Sequence, residues 1–236
     1  MSAGLAISVD VWDTLLRLDR YYACLAESIS QVTGFSSRDV LNALQSARAK
    51  VKHLRVAGSI DVKRIVDQCL SLLAVELATT PEALKRGIAK STLDIRREGL
   101  VYEDAVEALK QLHNEGIPVV AVSNVMWWPG FVTRIVVEKA GIGYLLAAQL
   151  YADEVEALKP DPLVFQKASE ALKMAGSTVE LKIHVGDDFR EDFLGAMSAG
   201  LKGVLVDRRG EWEEGVYFKG KGCVIKDMRK ILDLLT

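Results

Sequence analysis

The hydrophobic positions of this chain fall into two textures. Residues 5–10, LAISVD, are a short apolar, β-branched run that ends in acid, the pattern of a buried strand. From about residue 19 to 97 the spacing is helical, and no strand pattern appears. RYYACLAESISQVTG predicts a helix stopped by Gly34. SSRDVLNALQSARAKVKHLRVAG predicts a second, which opens on serine caps and ends at Gly58. SIDVKRIVDQCLSLLAVEL predicts a third, and TTPEALKRGIAKSTLDIRRE a fourth with Pro81 in its first turn. Four helices in succession predict a small bundle.

After Gly99 the two textures alternate. VYEDAVEALKQLHNEG, PGFVTRIVVEKAG, PLVFQKASEALKMAG and REDFLGAMSAG read as helices. IPVVAVSN, a stretch within LLAAQLYADE, LKIHVGDD and KGVLVD read as strands. The tail RKILDLLT reads as a last amphipathic helix. Alternation of this kind builds βαβ units and a parallel sheet. The first strand joins that sheet, and the four helices are an insertion after it. The fold class is therefore α/β: a Rossmann-like parallel-sheet core with helices on both faces, plus a small all-helical cap. The expected division is 1–17 and 98–236 for the core and 18–97 for the cap.

Half of the 236 residues are hydrophobic and 26% are charged, as in an ordinary globular protein. A net charge of −2 supplies no basic field for nucleic acid or anionic lipid. No apolar run reaches the roughly 18–20 residues that span a bilayer. MSAGLAISVD lacks the basic flank of a signal peptide. Cys24, Cys69 and Cys223 are odd in number and far apart. They suit buried thiols in a reducing compartment better than a disulfide frame or a metal site, so the expected location is cytoplasmic.

In an open parallel sheet, ligands bind beyond the carboxyl ends of the strands. The polar residues predicted there are Asp10 and Asp13, Ser123 and Asn124, and Asp187 and Asp188, with Lys159 in the loop after the third strand. Gathered on one rim, the acids repel: two like charges about 4 Å apart cost roughly 4 kcal/mol at an effective dielectric near 20. A cation relieves this. A few hard oxygen ligands suit Mg²⁺, which keeps waters and accepts phosphate oxygens. Asp10, Asp187 and one of Asp188 or Asp192 would supply the carboxylates, and Lys159 would neutralise the remainder. Ser123 offers a hydroxyl to an anionic oxygen. Such a set suits phosphoryl transfer by positioning and charge neutralisation, and a carboxylate can itself be the nucleophile.

Four segments, in order, resemble the motifs of the haloacid dehalogenase-like (HAD) hydrolase superfamily. They are SVDVWDTLL, where the family has a strand and then Asp-x-Asp-Gly-Thr-Leu; VVAVSN, with Ser123; LKPDPLVFQKA, with Lys159; and HVGDDFREDFLGAMSAG, with Asp187, Asp188 and Asp192. A helical cap between the first two motifs is the family's commonest arrangement. The resemblance implies a Mg²⁺-dependent phosphatase of a small phosphorylated metabolite, working through an aspartyl-phosphate. Its partner would be a small-molecule phosphate ester, with no nucleic acid and no membrane. It implies Asp10 as nucleophile, and a metal held by Asp10, the backbone carbonyl of Trp12, Asp187, and Asp188 or Asp192. Ser123 and Lys159 would grip the phosphoryl group, with Asn124 and Thr14 as further substrate-binding positions and Thr14 supporting the loop.

The chain departs from the family pattern at one place. Two residues after the nucleophile, the family's phosphatases carry an aspartate that protonates the leaving group. Here that residue is Trp12, and an indole cannot shuttle the proton. Asp13, one place later, is the possible acid/base, and equally a turn aspartate bonded to local amides. Loss of a general acid/base typically costs roughly 10²–10⁴ in rate. Three readings stay open. One is a phosphatase for leaving groups that need little protonation, or one that recruits Asp13 or a cap residue. Another is a metal-independent 2-haloacid dehalogenase, since those enzymes carry an aromatic residue here. The third is a weakly active phosphate-binding module. The retained GDD and Asp192 favour the first, because dehalogenases need no metal and tend to have serine in place of the first acid.

Other residues have plainer readings beside the functional ones. His184, inside an apolar strand, reads as a core residue. His53, with Lys50, Lys52 and Arg55, reads as a solvated face, or as the anion-selecting side of the pocket if that helix turns toward the rim. Arg17, Arg20, Arg48 and Arg55 are the cap arginines a dehalogenase would use. Trp12 either plugs the core–cap seam or touches substrate. MWWPG, residues 126–130, forms an apolar lip beside the site or packs a tryptophan in the core. Arg17–Leu18 and Glu98–Gly99 are the expected hinges.

Overall fold

The apolar runs become strands, and the periodic segments between them become helices. The computed structural model describes residues 4–235; residues 1–3 and Thr236, at the outer ends of the expected core segments, lie outside the described residues. The chain starts with β1 (Leu5–Val9), then α1 (Leu18–Thr33), α2 (Ser37–Val56), α3 (Ile65–Glu76) and α4 (Pro81–Asp94). There follow α5 (Glu103–Asn114), β2 (Val119–Ser123), α6 (Gly130–Lys139), β3 (Ala148–Tyr151), the short α7 (Ala152–Val155) and α8 (Pro162–Met174). The last part holds β4 (Glu180–Gly186), α9 (Gly195–Ser198), β5 (Lys202–Val206), β6 (Gly215–Tyr217) and β7 (Gly222–Ile225). Among the described residues no helix is long and apolar enough to cross a membrane.

The sheet has the order β3-β2-β1-β4-β5-β7-β6. It is parallel except for β6, which runs antiparallel to β7. Alternation along each strand sorts the side chains to two faces. Ile7, Val9, Val119 and Ala121 share one apolar cluster with Leu109 and Leu112 of α5. Ala6, Val120 and Val122 share another with Val164, Phe165 and Leu172 of α8. Helices therefore cover both faces. Chain order reverses beside β1, whose neighbours are β2 and β4. That is the topological switch point, where open α/β sheets place their ligands.

The inserted helices obey their predicted stops. Ser36 caps α2 by accepting the Asp39 N–H at 3.1 Å, and Thr80 caps α4 by accepting the Ala83 N–H at 3.2 Å. Gly34 ends α1 in the left-handed conformation. Their buried stripe, which includes Tyr21, Leu25 and Ile29, is continuous with the first sheet face through Trp127 and Trp128.

Two expectations are corrected, and one element is new. REDFLGAMSAG is not a single α-helix, because Phe189–Leu194 form a wider π turn before α9. Asp188 sets that turn, its carboxylate accepting the N–H groups of Arg190 and Glu191 at 2.9 Å each. The tail is a 3₁₀-helix, Met228–Leu234, instead of an amphipathic α-helix. Its buried residues, Met228 and Ile231, are three apart, the spacing a three-residue turn stacks. The β6–β7 hairpin was not foreseen, because strands of three and four residues are too short to show a period.

Candidate active site

The carboxyl ends of β1, β2 and β4 bring the predicted residues together. Asp10 follows β1 directly, and its backbone N–H donates to the Val185 carbonyl at 2.8 Å. Carboxylate oxygens of Asp10, Asp187 and Asp192 lie within 4.8 Å of one another. The Lys159 side chain is fully interior, and its ammonium donates to Asp10 Oδ1 at 2.5 Å, to Asp192 Oδ1 at 2.6 Å and to the Val122 carbonyl at 2.7 Å. A cavity of about 80 Å³ lies over this group, walled by Trp12, Tyr22, Ser123 and Trp128 on the apolar side and by Arg48, Lys52 and Arg55 on the other. It shares Leu18, Tyr22, Arg48 and Lys52 with an adjoining cleft of about 550 Å³.

Two acids of one loop meet opposite fates. Burial alone would raise the Asp192 pKa, but Lys159 and His184 hold it well below the usual carboxylate range. Its Oδ1 meets His184 Nε2 at 3.0 Å, and its Oδ2 accepts the Asp188 N–H at 3.0 Å. Gly186 makes room for it, since a Cβ there would stand 2.2 Å from Asp192 Cγ. His184 is a core residue as expected, fully buried, with Nδ1 2.8 Å from Ser8 Oγ. Burial keeps its imidazole below the ordinary histidine range. Asp187 has no such partner. Burial, then the carboxylates of Asp10, Asp192, Asp13 and Asp188, push its pKa well up, and no ion pair or hydrogen bond offsets them among the described residues. Asp10 lies between these cases: burial pushes it up to about 7, with Lys159 pulling down and Asp192 pushing further up.

These donors fit a divalent cation. Lys159 neutralises the edge between Asp10 and Asp192 and leaves Asp187 facing their two carboxylates with no cationic partner of its own among the described residues. Hard oxygen donors in this number suit Mg²⁺ with waters completing its shell. The acidic cluster contains Asp192 and not Asp188. Asp188 Oδ1 is taken by the Arg190 and Glu191 amides, and its Oδ2 accepts from Lys52 Nζ at 2.8 Å.

The remaining predicted residues divide. Ser123, at the end of β2, lines the cavity. Asn124 also lines it, but its side chain is committed. Its oxygen accepts the Lys159 N–H at 2.9 Å, and its nitrogen donates to the Lys159 carbonyl at 3.0 Å and to Glu191 Oε2 at 2.8 Å. Asn124 thus braces the Lys159 loop from within the cavity wall. Thr14 is fully buried, its hydroxyl has no partner among the described residues, and it does not line the cavity. It is an interior support, its carbonyl accepting from Arg208 at 2.9 Å. Asp13 takes a left-handed φ of 60° and accepts the Leu18 N–H at 3.1 Å, with Arg48 at 3.8 Å. It lines the cleft and not the cavity over Asp10, so its carboxylate serves the turn.

The aromatic residues close the seam. Trp12 meets Tyr21 at a tilt, 5.0 Å between rings, and Trp128 edge-on at 5.4 Å, so it plugs the seam while also lining the cavity. Both readings of the MWWPG stretch have a residue: Trp127 is packed in the core, and Trp128, though buried, lines the cavity with Met126. On α2, Arg48, Lys52 and Arg55 are spaced four and three apart and turn one face to the rim. Lys50 turns away to pair with Glu76, and His53 is exposed. Arg55 donates to Glu191 at 3.4 Å and to the Val125 carbonyl. Sequence reasoning missed Glu191 and Tyr22. The helical spacing of 48, 52 and 55 was the available signal for the cationic row, and Glu191 stood beside Asp192 in the fourth motif.

Fold and site together define a hydrolase built on a switch-point acid cluster. The family model for haloacid dehalogenase-like hydrolases matches residues 6–200, and the chain belongs to that family. It is 30% identical over 151 residues to Phosphatase MT3486 of Mycobacterium tuberculosis, covering 64% of this chain and 65% of that protein. It is 26% identical over 140 residues to the glyceraldehyde 3-phosphate phosphatase of Methanothermobacter thermautotrophicus, covering 57% and 58%. The chain spans less than two thirds of the length of these curated relatives. Its fold is similar to that of a HAD-hydrolase, YfnB from Bacillus subtilis, solved bound to magnesium, with a TM-score of 0.74 at 13% identity over 98% of both chains.

Proposed function

We propose that this protein is a cytoplasmic, Mg²⁺-dependent phosphatase of a small phosphorylated metabolite, with Asp10 as the nucleophile. The observation that carries the reading is Asp187. A half-buried carboxylate crowded by four others, with no partner cation among the described residues, is costly unless a metal occupies the site, and halide displacement needs none. The phosphatase names of the two curated relatives support the same reading. In it, residues 18–97 form the cap over a core of 1–17 and 98–236.

Each side chain has a role in this scheme. Lys159 keeps Asp10 oriented and sets a positive charge beside the transferred phosphoryl group, to whose oxygens Ser123 offers its hydroxyl. Asn124 holds the Lys159 loop in place. When bound, magnesium would be held by Asp10, Asp187, Asp192 and the Trp12 carbonyl, and would supply charge neutralisation at the phosphate. The test is release of phosphate from 4-nitrophenyl phosphate by the purified protein with added Mg²⁺. Asp10→Asn should lower the rate on the order of 10⁴-fold or more, as loss of a covalent nucleophile does. Equal rates with and without excess chelator would overturn the assignment. Trp12 favours a second reading, a 2-haloacid dehalogenase. That reading expects chloride from 2-chloropropionate without metal, and no detectable chloride removes it.

A further inference from the structure

Departure of an alcohol from a phosphate ester leaves a strongly basic oxygen unless a proton arrives. Trp12 cannot provide one, Asp187 is a metal ligand in the phosphatase reading, and the other neighbouring acids are committed. Asp13 is bonded to Leu18 and Arg48. Glu191 is held by Arg55 and Asn124. The cations on α2 are themselves paired, Lys52 with Asp188 and Arg48 with Asp13. Tyr22 differs. It is 7% exposed, projects from α1, and lines both the cavity over Asp10 and the adjoining cleft. Its phenolic oxygen lies 2.9 Å from Trp127 Nε1. An indole N–H can only donate, so the Tyr22 oxygen accepts there and keeps its own hydrogen free. That hydrogen has no acceptor among the described residues.

We infer that Tyr22 is the acid/base of this site, giving its phenolic proton to the leaving-group oxygen in place of the absent aspartate. The inference rests on the phosphatase reading. Asp10 Oδ forms a bond to phosphorus as the bond from phosphorus to the ester oxygen breaks. That oxygen takes the phenolic proton and leaves as an alcohol, and Tyr22 is left as phenolate. In the second half, phenolate takes a proton from water, the resulting hydroxide bonds to phosphorus, and the Asp10–phosphorus bond breaks to release inorganic phosphate. Both side chains return to their starting states. Burial holds the phenol above its ordinary pKa, so the proton is present at neutral pH. A phenol is a weak acid and helps most where the departing oxygen is most basic. The site is thereby suited to alkyl phosphate esters.

The test compares leaving groups. Tyr22→Phe keeps the ring and its packing, and kcat/KM is measured on 4-nitrophenyl phosphate, phenyl phosphate and glycerol phosphate. The loss should grow along that series, from severalfold on the first to about 10²-fold on the last. An equal loss on all three overturns the role and makes Tyr22 a packing residue. If Tyr22→Phe does not fold, as read by its thermal midpoint, 3-fluorotyrosine at position 22 replaces it. The alkaline limb of the glycerol phosphate pH profile should then move to lower pH, and an unmoved limb overturns the role. Wild-type protein with no Asp10-dependent turnover on any of the three esters sinks the phosphatase reading itself, a different result from an equal loss.

Discussion

The two halves of the site hold charge in opposite ways. On the sheet side, Lys159 and Asp192 are 1% and 2% exposed, and their ion pair is dry. On the α2 side, Lys52 and Asp188 are 42% and 25% exposed, and Arg48 and Asp13 are 29% and 19% exposed. A dry pair is rigid and costly to break, whereas a wet pair opens and reforms at little cost. Under the proposed function, rigid charge suits the groups that would hold a nucleophile and a metal in position, and breakable charge suits a helical insertion that would part from the rim to admit substrate. Arg55 is the exception on the α2 side, with a side chain only 7% exposed.

The sharpest way to break this contrast is at its driest point. Lys159→Met leaves Asp10 and Asp192 facing each other without a cation. It should cost about 3–5 kcal/mol of stability in chelator-containing buffer, read by urea unfolding. A cost below 1 kcal/mol would show that the pair is wet in solution.

Next in size is the metal. Mg²⁺ at a hundred times its Kd should stabilise the protein by about 2.7 kcal/mol. Asp187→Asn should abolish that gain while raising the thermal midpoint of the metal-free protein, because it removes the uncompensated acid. The pH dependence has a definite sign. Asp10 rises on folding from 3.8 to about 7, and Asp187 rises as well, so the folded state binds these protons more tightly than the unfolded chain. Their contribution in metal-free protein is present at the acid end and lost as pH rises through the window from about 4 to about 7. Saturating Mg²⁺ should remove that loss, and thermal melts across the window check it.

The smaller effects separate the two kinds of pair on α2. Arg55→Ala strips a donor from the buried Val125 carbonyl and from Glu191, and should cost about 1–3 kcal/mol. Lys52→Ala should stay within about 1 kcal/mol and instead raise KM, with an effect that fades as salt is added. Equal costs for the two substitutions would erase the difference drawn between them.

Much of the fold was legible because its period was strong. β1 to β5 are apolar runs closed by turn residues, and the caps Ser36 and Thr80 and the stop Gly34 work as their chemistry predicts. Asp10, Ser123 and Asp187 were legible for a related reason, each being a polar residue at, or just past, the end of such a run, whereas Lys159, in the loop beyond α7, was legible only through the motif LKPDPLVFQKA. The β6–β7 hairpin and the 3₁₀ tail were not, because three or four residues carry too little pattern. The choice between Asp188 and Asp192 was also closed to sequence reasoning. It turns on a π turn that shifts the facing of adjacent residues, and on Gly186, which leaves space for one of them.

The order of apolar and polar positions by itself determined that a parallel sheet would form, that helices would cover it, and that several acids would end on one rim. Periodicity reports which side of an element must leave water, and that is enough to assemble layers. Only the tertiary structure decided which side chains were already spoken for. Asn124 and Asp13 turned out to be committed to backbone and side-chain partners, and Thr14 to be buried away from the cavity, while among the described residues Tyr22 kept a free donor. Hydrogen-bond saturation depends on atoms brought together from distant parts of the chain, and no local pattern records it.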